Sequence, residues 1–170
     1  MTEIEFWQLV TAANPLAGSD ELAEQLSEKL TPLSDEQLAA FDKHFSLKMR
    51  DSYTWRVWGA AFIIAGCNSE YAFAEFRCWL ISRGQETFEH ALKKPDSLAN
   101  LAIVQDKEGF ANPYLEEYDL IAGQLFEERN EHELPYVPSG QSQPFGKRFK
   151  DTRKYLKTSY PNLFEKYWQG

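Results

Sequence analysis

The stretch "NSEYAFAEFRCWL", residues 68 to 80, crowds aromatic rings around an arginine and a cysteine. Placed on a helix at about 100° per residue, Phe73, Phe76 and Leu80 share one apolar face, and Arg77 falls inside that arc. A guanidinium keeps its charge, so a buried one needs a carboxylate or several carbonyls around it. Glu70, near the start of the same helix, and Asp96, in the turn after the next helix, are the candidate partners, and the sequence does not separate them. The structural reading of Arg77, Glu70 and Asp96 is an ion pair or a helix-end clamp; the functional reading is an anion site or a catalytic arginine.

Other reactive residue types are sparse. Cys67 and Cys78 lack a CxxC spacing and read as small buried hydrophobes, although Cys67 lies close to a helix start, where a thiolate would be favoured. His44, His90 and His132 have no three- or four-residue spacing between them, so no metal site is expected. No GxSxG elbow, phosphate-cradling glycine loop or GxGxxG is present, and Ser139-Gly140 reads as turn material. No cofactor and no catalytic residue is assigned. Carboxylates are plentiful, with Glu116, Glu117, Asp119, Glu127 and Glu128 read on one helix; an acid-base pair could be assembled there, but a solvated surface is the commoner use.

The formal charge of −8 is unevenly spread. Residues 1 to 46 hold nine acids and two bases, residues 86 to 133 twelve acids and four bases, and residues 147 to 170 seven bases and two acids. Such acidity repels phosphate backbones and favours basic partners. The basic tail "GKRFKDTRKYLK" interleaves Phe149 and Tyr155 with cations, as a nucleic-acid grip would, yet folding back onto the chain's own acids is the more economical expectation. Nucleic acid is therefore not an expected partner. Acids precede the apolar residues of "MTEIEFWQLV", which is not the order of a secretory signal, and no apolar run approaches the ~20 residues of a membrane span. With two unpaired cysteines as well, the reading is cytoplasmic, with no membrane partner.

These residues must be held by helices. Thr2 with Glu5 and Ser34 with Gln37 form capping boxes, and Ser19 or Asp20 caps a helix between them. "TWRVWGAAFIIAG" is apolar all round except at Arg56 and predicts a buried central helix ended by Gly66; Asn68 or Ser69 caps the next, which runs to Arg83. A shorter helix carries Phe88, Ala91 and Leu92, and a single turn spans Leu98 and Leu101. Asn112-Pro113 predicts a helix start aligning Tyr114, Tyr118, Ile121, Leu125 and Phe126. The fold class is all-α: one domain over residues 1–170, a compact bundle of about seven to nine helices around a buried central helix. A Pro/Gly-rich surface arm covers 130–146, and the basic segment 147–170 docks on the body, its last helix starting at Tyr160-Pro161.

The run "WGAAFIIAGCNSEYAFAEFRCWLISRGQETFEHALKKPDSLANL", residues 58 to 101, resembles the signature of the bacterial family called domain of unknown function 4240. The opening "MTEIEFWQLV" and the closing "YPNLFEKYW" resemble that family's ends, so the likeness covers most of the chain. In that family the turn before FRxWLI is usually glycine-rich with paired aspartates; here it reads "CNSEY", which leaves only Glu70. Any metal or substrate role of those aspartates is therefore not expected here. The resemblance implies a helical fold in a bacterial cytoplasm and supplies no activity.

The functional expectation is a non-catalytic protein-binding module for a basic partner, of the immunity type that neutralises a bacterial toxin or secreted effector. Its candidate contacts are Glu116, Glu117, Glu127 and Glu128 with Tyr136 and Phe145 of the arm. The competing expectation is a small cytoplasmic enzyme at Arg77, with Glu70 or Asp96 as acid-base groups.

Overall fold

The computed structural model describes residues 1–138 and 140–168, so Ser139 of the Ser139-Gly140 pair and the last two positions of the basic segment lie outside the described residues. Among the described residues there are nine α-helices, two 3-10 turns and no strand. The chain is all-α.

Both capping boxes form. Thr2 opens α1 (Glu3–Val10), and Ser34 opens α3 (Asp35–Asp51), each with the reciprocal bond from its third helical residue. Between them, α2 (Ser19–Leu30) is capped by neither Ser19 nor Asp20: Gly18 holds the cap position without a side-chain bond. The Ser19 hydroxyl instead accepts from Glu116 N at 3.0 Å, a tertiary tie that a local motif does not reveal.

Thr54 caps α4 (Trp55–Ala65), which buries Val57, Trp58, Gly59, Ala60, Ala61, Ile63 and Ile64. Gly66 ends it at φ 66°, a left-handed position that suits a residue without Cβ. Ser69, not Asn68, caps α5 (Glu70–Ser82). Burial is shared between the two: every residue from Phe76 to Ser82 is buried, because α5 packs against α3, α4 and α6 (Gln85–Lys93) at once. The turn expected after Pro95 is a 3-10 segment, Pro95–Asn100.

The Asn112-Pro113 start does not form. A helix from Pro113 would need Glu116 N to bond Asn112 O, but that donor goes to Ser19; Leu115 N goes to Glu75 O and Asn112 N to Val104 O. Glu117 then takes φ 58°, the only positive φ outside glycine among the described residues. The helix proper, α7, runs Ile121–Arg129 after a 3-10 turn at Tyr118–Leu120. Glu116, Glu117, Asp119 and the Glu127, Glu128 pair thus sit on three successive pieces of chain, not one helix.

The described residues of 130–146 run across the surface. Asn130 bonds Asp35 and Phe126 O at one end, and at the other Phe145 pairs with Thr54 through Phe145 N to Tyr53 O and Trp55 N to Phe145 O. Two short helices follow, α8 (Arg153–Ser159) and α9 (Pro161–Tyr167), with Leu156, Leu163 and Phe164 buried. Among the described residues, no cation of the basic segment forms an ion pair with an acid, contrary to the expected fold-back onto the chain's own acids. Arg148 lies over the Trp55 ring, Arg153 over Phe164, and Lys166 donates to the carbonyls of Ala99 and Leu101. No helix of the described residues is long and apolar enough to cross a membrane.

Candidate functional site: the Arg77 cleft and the acidic face

Arg77 is 8% exposed and has no carboxylate within 4 Å: the two ion pairs among the described residues are Lys48–Glu3 and Arg129–Asp35. Carbonyls and rings hold it. Its Nη1 donates to Met49 O at 2.8 Å and its Nε to Phe73 O at 3.3 Å. The guanidinium lies 4.6 Å from the Tyr53 ring centre and 4.7 Å from that of Phe73. Met49 is in the last turn of α3, where carbonyls have no partner within the helix, so Arg77 clamps the end of that helix. Burial pulls its pKa down, opposed by the nearby Cys78, Tyr53, Glu70 and Asp119; an arginine stays charged through such a shift.

The side chain opens into a cleft of about 390 Å³ that no single element builds. α3 contributes Phe45, Met49 and Arg50, the link to α4 Tyr53, α5 Glu70 and Arg77, the 3-10 turn Asp119, and the arm Val137 and Gln141. Tyr53 donates its hydroxyl to Glu70 Oε1 at 2.8 Å, and burial together with that bond pushes the phenol up to about 12. Glu70 is therefore in the cleft, near Arg77 but bonded to Tyr53. Asp96 is not in it. Its two oxygens accept from Asn162 N, Asn162 Nδ2 and Leu163 N at 2.8 to 3.2 Å, which caps α9 from a distant segment. The expectation that Asp96 partners Arg77 is thus corrected: the open turn of α9 needs acceptors, because Pro161 starts it without a side-chain cap of its own.

Cys67 and Cys78 are buried and unbridged. Burial raises Cys67 to about 11 and Cys78 well above the ordinary thiol range, so neither is a thiolate near neutrality. Among the described residues no three His, Cys, Asp or Glu side chains gather as a metal site would need.

A second surface adjoins the cleft at Asp119. α7 lies against α2 and α3, and there Glu116, Glu117, Glu127 and Glu128 are all exposed and in no ion pair. Glu117 and Glu128 line one shallow groove with Ser27 of α2. Desolvation raises the carboxyls of Asp42, Glu75 and Asp119, and each is raised further by a neighbouring acid, Asp119 for Asp42, Glu116 and Asp119 for Glu75, and Glu117 for Asp119. Leu134 of the arm lies beside Gly123 of α7, and Val137 borders the cleft, so Tyr136, 84% exposed, stands next to this face. Phe145, 71% exposed, is at the other end of the arm, beside Tyr53 and Trp55. Arg50, Tyr53 and Met49 were not singled out by sequence, since they reach the cleft from separate segments without a common spacing.

The chain is thus an all-α domain with exposed acids beside a mixed-charge cleft that a buried arginine lines. The chain belongs to the family described as protein of unknown function, DUF4240, whose model matches residues 1–128. The match takes in α1 through most of α7 and the whole central block; the closing "YPNLFEKYW" lies beyond it. No curated relative and no solved structure matches the chain.

Proposed function

We propose that the protein is a non-catalytic binding module for a basic protein, an immunity-type protein that neutralises a bacterial toxin or secreted effector in the cytoplasm. The observation that supports this most is the acid on the α7 face: Glu116, Glu117, Glu127 and Glu128 are exposed and take part in neither ion pair of the described residues. Acids left without cations repel one another and attract a cationic surface at long range. Tyr136 and Phe145 supply the exposed aromatic area that such contacts use as anchors. The one observation favouring the competing reading, a small enzyme, is the cleft that gathers Arg77, Glu70 and Tyr53; Asp96 takes no part in it.

The test is co-purification from the source cells followed by expression of the recovered partner. One basic protein in stoichiometric yield is expected, toxic when expressed alone and harmless when co-expressed. Glu116→Lys with Glu117→Lys should release it, and Glu165→Lys on α9, which packs on α4 and α8, should not. Retention that ignores the charge reversal at Glu116 and Glu117, or a partner without toxicity, rejects the binding mode or the immunity role respectively.

A further inference from the structure

Clamping α3 does not account for all of Arg77. A guanidinium has five N–H groups; Nε and Nη1 each give one to a carbonyl, while Nη2 makes no hydrogen bond and is not among the buried atoms left without a partner, so it reaches the cleft. The cation is buried without a counter-charge at contact, an arrangement that costs several kcal/mol in general unless an anion completes it. The walls decide what kind of anion fits. Two arginines, Arg50 and Arg77, and two acids, Glu70 and Asp119, line the same space, so the cleft is formally neutral. A simple anion drawn to Arg77 would meet both carboxylates; a simple cation drawn to them would meet both arginines. A dipolar molecule satisfies each pair.

We propose that the cleft binds a small zwitterion of the free amino-acid class, its carboxylate on Arg77 and its ammonium on Asp119, with Phe45, Met49 and Val137 receiving the side chain. The volume of about 390 Å³ is within the range of small-ligand sites. Glu70 adds its charge on the ammonium side, but one of its oxygens is committed to the Tyr53 hydroxyl, which leaves Asp119 as the freer acceptor. This goes beyond the binding of a basic protein and shares only the neighbourhood of Asp119 with it.

Calorimetric titration of the full chain with the proteinogenic amino acids, one at a time, tests the site, with acetate, methylamine and inorganic phosphate as single-charge probes. At least one amino acid should bind, and acetate, methylamine and phosphate should each bind about tenfold more weakly or worse, since each lacks one of the two charge contacts. Asp119→Asn should weaken the amino acid by a similar factor of about ten, and Arg77→Lys should weaken it while keeping the charge. Arg77→Met removes it if the variant folds; Asp119→Asn carries the test if it does not, because Asp119 is exposed and belongs to no ion pair. The absence of binding by every amino acid, equal binding of phosphate or acetate, or an Asp119→Asn protein that binds as the parent does would each overturn the proposal.

Discussion

Replacing Asp96 should unfasten the C-terminal helix from the body. Asp96 is 5% exposed, and its Oδ1 accepts from the buried Leu163 N while its Oδ2 accepts from Asn162 N and Nδ2. In Asp96→Ala the Leu163 N–H is left buried without an acceptor, a loss of about 1–3 kcal/mol, and the helix cap itself is worth ~1 kcal/mol. The two overlap in part, and relief of the desolvated carboxylate offsets some of the loss, so the net destabilisation is about 1–3 kcal/mol. At about 2–4 °C per kcal/mol for a chain of this size, the melting temperature should fall by roughly 2–12 °C. Asp96→Asn is the sharper variant. Its amide can keep one acceptor for Leu163, but its NH2 then faces the Asn162 N–H donor, so it should be nearly as damaging as alanine. Urea midpoints at constant slope, with hydrogen exchange read at residues 161–167, measure both. An alanine variant within ~0.5 kcal/mol of the parent, or an asparagine variant that is fully tolerated, refutes the capping account.

Two further changes test the packing and the acids. In Gly59→Ala the new Cβ would lie 2.9 Å from Tyr160 Cζ, and that ring cannot swing away, being 4% exposed with its hydroxyl on Arg56 O; overpacking should outweigh the ~1 kcal/mol gain in helix propensity and leave a net loss of about 1–2 kcal/mol, partly recovered by adding Tyr160→Phe, and no recovery would count against the contact. Asp42 is raised above 3.8 first by desolvation and then by Asp119. A carboxyl raised in the folded state favours folding below its unfolded value, and that contribution is lost as pH rises through the folded value, so the ionised group opposes folding at neutral pH. Asp42→Asn should therefore raise the urea midpoint at neutral pH, with the gain shrinking towards pH 3.8; a gain independent of pH would sink this reading.

Where local chemistry decides the backbone, the sequence is legible. Thr2, Ser34, Thr54 and Ser69 each accept from the backbone N–H three residues on, and Gly66 takes the left-handed turn, because those interactions are closed within one stretch of chain. The same logic misleads at Asn112-Pro113. A cap and a proline there satisfy every local rule, yet Val104, Glu75 and Ser19, all remote or looping back, take the amides of Asn112, Leu115 and Glu116. Propensity is a weak prior once tertiary partners compete for the donors.

Arg77 shows the same divide within one residue. Helical spacing places it in an apolar arc, and the structure buries it there. What spacing does not carry is the partner, since its contacts come from Met49, Tyr53 and Phe73 and its cleft from five separate pieces of chain. A carboxylate at contact would have closed the matter in favour of a structural pair. Two carbonyls and two ring faces fix the guanidinium in place without neutralising it, and its one unbonded nitrogen is left for a cleft that Glu70 and Asp119 also line. Scaffold and ligand roles are then not alternatives: the bonds that anchor α3 hold the cation rigid, and a rigid, partly desolvated cation is what a small carboxylate would recognise with least loss of entropy.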